Sequence, residues 1–99
     1  MPIKLEITSR RHQLSEHLRD YVEEKILKLE KYAHGDCEAH VVFERSDDEQ
    51  SVEVTVHGLH RTMHGKESGE SVHACIDGAI SKVETQIRKE KDKQIDTKI

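Results

Sequence analysis

The chain has no Trp, one Phe and two Tyr, so the usual aromatic platforms for stacking unpaired bases are scarce, which argues against an ordinary single-strand reader. It has one Pro and no Pro-rich linker, repeat or low-complexity stretch, so nothing marks a boundary between domains. Two cysteines, Cys37 and Cys75, without a Cys-x-x-Cys spacing give no support to a disulfide scaffold and fit a reducing compartment. The longest uninterrupted apolar run, Val41 to Phe43, is far short of the about 20 residues that span a bilayer, and the N-terminus has no apolar stretch of signal-peptide type. A soluble, cytoplasmic protein with no membrane partner is expected.

At 99 residues the chain is one domain, because two cores would each fall below the roughly 60 residues at which a lone core becomes marginal. A single unit over 1–99 is expected, with an ordered core over about 2–93 and a tail over 94–99. Apolar residues are 33% and charged residues 36% of the composition, so that core must be small.

A formal charge of −4 taken whole argues against nucleic acid, yet the acid is not spread evenly. Residues 1–33 carry seven basic and six acidic side chains, residues 34–71 three and nine, and residues 72–99 six and five. The excess acid is confined to the middle, and a local basic patch on an acidic protein is allowed.

Ile3, Leu5 and Ile7 alternate with Lys4, Glu6 and Thr8, which predicts a strand over 3–8 with one buried face. A polar turn, Ser9 to Gln13, follows, and Ser15 is placed to N-cap a helix from 16 to about 33. Leu14, Leu18, Val22, Ile26, Leu29 and Ala33 form its apolar stripe, and Gly35 supplies the stop. Cys37, Ala39, Val41 and Phe43, then Val52, Val54 and Val56, are two alternating runs joined by an acidic connection, an antiparallel hairpin.

A weaker fourth strand is read over 59–64 after a turn at Gly58, then a loop from Gly65 to Gly69. A second long helix over about 70–93 carries Val72, Ile76, Ala79, Ile80, Val83 and Ile87 on one stripe. The predicted fold class is therefore α+β, in the order β-α-β-β-β-α. Both helices cover one face of a four-stranded sheet, in the manner of a double-stranded-RNA-binding domain, and the other sheet face is wet.

Lys82, Lys89 and Lys93 fall in one sector of the second helix at about 100° per residue, and Lys25 and Lys28 take a comparable flank of the first. With the helices side by side, these ammonium groups are expected to converge on or beside the groove between them and to meet phosphates; a solvated flank laced with Glu pairs is the plain alternative. Arg10 and Arg11, in the loop before the first helix, could extend the patch or serve solubility.

His57, His60 and His64, with His73 further on, are the metal candidates, although His60 and His64 would stand about 13 Å apart on a strand, too far for one ion. Neither Cys has a base beside it, so both are read as packing residues, and the acidic turn of Asp47, Asp48 and Glu49 is read as solvation. No phosphate-loop or dinucleotide fingerprint occurs, and no cofactor is expected.

The second helix resembles the ribosome hibernation promoting factor family, which includes the inhibitor protein Y. The family pattern of an Ala-Ile-Asp-like start followed by Lys-Leu-x-x-Gln-Leu-x-Lys-x-Lys is met by Ile76, Asp77, Lys82, Val83, Gln86, Ile87, Lys89, Lys91 and Lys93. Ile7 and Thr8, the segment Leu18 to Val22 and the segment Lys25 to Tyr32 extend the resemblance over nearly the whole chain.

The resemblance implies a non-enzymatic factor that binds the small ribosomal subunit where mRNA and tRNA would sit, blocking translation in idle or stressed cells. By carry-over Lys25, Lys28, Lys82, Lys89 and Lys93 would contact rRNA phosphates, with Arg88 and Lys91 beside them. The implied partners are the small subunit and its rRNA, the whole ribosome and a ribosome-pairing helper protein, with a free monomer of the short type that lacks a dimerisation domain. A protein-binding module using the exposed sheet and a His-rich metal-binding module are the alternatives.

Overall fold

The computed structural model describes residues 3–10, 14–29, 37–46, 48–58 and 61–97, with side chains described as far as Lys89. Period-two alternation makes β1 (Ile3–Arg10), β2 (Cys37–Arg45) and β3 (Gln50–His57), and β4 (Thr62–Gly69) completes a sheet in the order β1-β2-β3-β4. β1 and β2 pair in parallel, Ile3 opposite Cys37 through Arg10 opposite Glu44. Parallel neighbours need a crossover, which α1 (Glu16–Lys28) lies on. The remaining pairs are antiparallel, as the predicted hairpin requires. The observed order is the predicted β-α-β-β-β-α, closed by α2 (Val72–Thr97).

Ser15 caps α1 by accepting the Leu18 N–H at 3.2 Å, which satisfies one of the four donors that a helix start leaves open. Val22, Ile26 and Leu29 of that helix, Ile76, Ala79, Ile80, Val83 and Ile87 of α2, and the inward residues of every strand form one cluster. Both helices therefore cover the same face of the sheet. Phe43, the only phenylalanine, is 1% exposed at the centre of this core. No polar or charged residue is buried among the described residues, so the small core carries no desolvated charge to compensate. Cys37 and Cys75 are buried free thiols, and burial pushes the Cys75 thiol pKa up, away from nucleophilic character.

Three boundaries differ from the sequence reading. β1 runs to Arg10, so this arginine pairs opposite Glu44 in the sheet instead of standing in a loop. α2 starts at Val72 and runs to Thr97, past the expected end at 93. The segment Gly65 to Gly69, expected as a loop, is the second half of β4, paired with Gln50–Val54. Arg11, Asp47, Leu59, His60, Gly35 and the expected end of the first helix at 33 lie outside the described residues.

The outward face of the sheet is polar, with Glu6, His40, Thr55 and His64 in one row across the four strands. His40 Nε2 lies 2.9 Å from Thr8 Oγ1, His57 Nδ1 lies 3.0 Å from Thr62 Oγ1, and His64 Nε2 meets the Glu53 carboxylate diagonally across β3 and β4. Two of the metal candidates, His57 and His64, are thus turned to different partners.

The hydrogen bond from His64 holds the Glu53 carboxyl below the usual glutamate range, and the charges of His64, Lys66 and Arg10 add to it, against a smaller opposing effect of burial. A carboxylate whose folded pKa is depressed stabilises the fold above its unfolded pKa, about 4.3, and loses that contribution as pH falls through the folded value. Glu53→Gln is therefore expected to melt below the wild type at neutral pH, with the gap closing as pH drops below about 4. Thermal melts across the acid range check this, and a gap that stays constant to the lowest pH would remove the pair as its cause.

Candidate nucleic-acid interface

On α1, the helical spacing that buries Val22, Ile26 and Leu29 turns Tyr21 and Lys25 toward α2. The Tyr21 hydroxyl donates to Asp77 Oδ1 at 2.7 Å, and Lys25 Nζ stands 3.7 Å from the same oxygen and 5.3 Å from the Tyr21 ring centroid. The hydrogen bond to Asp77 raises the Tyr21 pKa, with burial and the charges of Asp77 and Glu24 acting in the same direction. His73 packs edge-on to Tyr21 at 4.9 Å between ring centres, and His17 lies 5.9 Å from His73. Further along α2, Glu84 pairs with Arg88 at 3.6 Å, one helical turn on.

Lys82 does not face this groove, which corrects the expected convergence. Its ammonium donates to the Lys66 carbonyl at 2.7 Å and to Glu67 Oε1 at 3.2 Å, both on β4. Gln86 stands beside it, accepting the His64 N–H at 3.0 Å and donating to the His64 carbonyl at 2.6 Å. β4 is a sheet edge, and edge strands leave alternate N–H and C=O groups unpaired. Gln86 takes up the His64 N–H and carbonyl and Lys82 the Lys66 carbonyl, so the α2 flank that packs on β4 is a clip for the sheet edge. In the sequence Gln86 stands out only as a match to the family pattern, and its clip role was hidden because its partner is a backbone group 22 positions away.

The cations therefore form two lines. Lys25 and the exposed Lys28 sit in the last turn of α1, where the helix dipole favours positive charge. Arg88 and the exposed Lys89 stand on α2, Lys89 one turn beyond the clip. Asp77 faces α1, so the groove holds a carboxylate beside Lys25, and Glu84 pairs with Arg88 along α2. Positions 91 and 93 extend α2 past Ile87, its last described core residue, and the side chains of Lys91 and Lys93 lie outside the described residues. Ten further residues of helix reach about 15 Å beyond that point, which carries the chain out from the domain body.

Comparison with known proteins places this architecture. The chain is 32% identical over 91 residues to the ribosome hibernation promoting factor of Escherichia coli K12, covering 92% of this chain and 96% of that protein. It is 34% identical over 87 residues to the ribosome hibernation promoting factor of Azotobacter vinelandii, covering 86% and 81%. A Staphylococcus aureus ribosome hibernation promotion factor is 35% identical over 92 residues, which span 90% of this chain and 48% of that one. The crystal structure of the Thermus thermophilus protein Y N-terminal domain superposes with a TM-score of 0.80 at 28% identity, covering 90% of this chain and 98% of that one. A ribosomal subunit interface protein from Coxiella burnetii shares the fold, with a TM-score of 0.79 at 20% identity over 89% and 97%. Residues 5–95 match the family model described as Sigma 54 modulation protein / S30EA ribosomal protein, and the chain belongs to that family.

Proposed function

We propose that this protein is a ribosome hibernation factor. It acts in the cytoplasm, binds the rRNA of the small ribosomal subunit in the channel used by mRNA and tRNA, and silences translation by occupying that channel without chemistry of its own. The observation that carries the reading is the likeness to ribosome hibernation promoting factors over nine-tenths of the chain. The helical layer supports it physically, because Lys25, Lys28, Arg88 and Lys89 offer cations to phosphates on a protein whose net charge is −4. Lys82, half-exposed in its pair with Glu67, is a further rRNA contact on the sheet-edge side of α2.

The test is sedimentation of the purified protein with bacterial ribosomes through sucrose gradients at low and high salt. Co-migration with small subunits or whole ribosomes, falling steeply as salt rises, is the expected result, since each neutralised phosphate contributes about 0.7 to 0.9 to the log–log salt slope. Protein left at the top of the gradient at every salt would overturn the reading.

A further inference from the structure

Counting Phe, Trp and Tyr leaves this chain poor in rings, but the fold brings three rings together on the helical layer. His17 and Tyr21 on α1 and His73 on α2, 56 or fewer positions apart in sequence, meet at one end of the helical layer. His17 and His73 are exposed, and Tyr21 is half-buried. We propose that the exposed His73 imidazole is a stacking surface for an unpaired nucleobase of the bound RNA, with the His17 ring, tilted 55° from it, as a side wall, Tyr21 as buttress and Lys25 taking the adjoining phosphate. This rests on the ribosome-binding reading above and adds to it a base-recognising site.

Three observations support the assignment. Imidazoles serve as stacking surfaces for splayed-out bases, as Phe, Tyr and Trp do. The Tyr21 ring is fixed by its hydroxyl bond to Asp77 at 2.7 Å, so His73, which meets it edge-on at an interplanar angle of 71°, packs against a ring held in place. The Lys25 ammonium stands 5.3 Å over Tyr21 and pairs with Asp77 at 3.7 Å in a partly exposed bridge. Bridges of that kind contribute little, so the ammonium can turn to a phosphate at small cost. One nucleotide carries both groups the cluster can recognise, a flat base for the His73 ring and an anion for the lysine.

The experiment measures affinity for purified bacterial small subunits, with a ring-keeping variant that separates stacking from charge. H17A/H73A is expected to bind about 5- to 150-fold more weakly, the range for one stacked base, with an unchanged salt slope and an unchanged melting temperature. H17F/H73F, which keeps flat rings and removes the titratable nitrogens, is expected to restore the affinity. A double-alanine variant that binds like the wild type would overturn the platform while leaving ribosome binding intact, and so would a Phe variant as weak as the alanine one. A wild type that does not bind small subunits at all would overturn the ribosome reading and the platform with it.

Discussion

Lys28→Glu combined with Lys89→Glu is expected to weaken association with small ribosomal subunits by about 100-fold or more at physiological salt. Both side chains are exposed, Lys28 on α1 and Lys89 on α2. An exposed charge near a phosphate gains about 1 kcal/mol in bulk water and several times that near a protein surface, and reversal turns the gain into a similar loss. Two reversals thus remove about 4 kcal/mol even at the low end, and every 1.4 kcal/mol is tenfold in affinity. The log–log salt slope should fall by about 1.4 to 1.8 at the same time, which separates lost phosphate contacts from misfolding. The fold should lose under about 1 kcal/mol, chiefly from Lys28 in the last turn of α1, where the helix dipole favours a cation. Binding with unchanged affinity and slope would move the interface away from the helical layer. Lys82 is the poorer probe, because Lys82→Glu would set a carboxylate against Glu67 and open the β4 edge, so its loss of binding would carry a change of fold.

That distinction was not available from the sequence. Periodicity places Lys82 and Lys89 on one flank of α2 and Lys25 on one flank of α1, but a helical wheel does not say which flank faces the neighbouring helix. The handedness of the packing decides it, and here α2 turns Asp77 to α1 and Lys82 to β4. Strands β1, β2 and β3 were legible because one sheet face is buried and the apolar residues keep period two from Ile3 to Val56. The second half of β4 was not. Gly65, Lys66, Glu67, Ser68 and Gly69 contain no apolar side chain, so no alternation betrays a strand, and two glycines suggest a turn. The imidazole and phenol cluster was equally hidden, since His17 and Tyr21 meet His73 only through the docking of the two helices.

Gly65 is where that hidden strand is most sharply specified, and Gly65→Val is expected to cost about 3 kcal/mol, the upper part of the range for overpacking a well-filled site. A Cβ at this position would run into the Ala79 carbonyl oxygen and stand 3.0 Å from Lys82 Cβ. The obstacle is helix backbone, which cannot rotate aside as a side chain does, so α2 must lift from β4. Lifting it strains the Lys82 and Gln86 bonds to the strand edge as well. For a domain of about 100 residues each kcal/mol shifts melting by roughly 4 to 8 °C, so the variant should melt roughly 12 to 24 °C below the wild type. Gly78→Ala makes the internal comparison from the helix side of the same crossing. Its Cβ meets the Glu67 side chain, at 2.6 Å from Oε2 and 2.9 Å from Cγ, and that flexible chain can swing away. The swing sacrifices the exposed Lys82–Glu67 pair, worth about 0 to 1 kcal/mol, while replacing a helical glycine returns about 0.8 to 1 kcal/mol, so the net change should be near zero. Equal destabilisation by the two variants would show that the crossing is held by something other than backbone contact at Gly65. A large loss confined to Gly65→Val would show that a residue with no side chain sets the distance between α2 and the sheet, and through it the place where Arg88 and Lys89 stand on the outer surface.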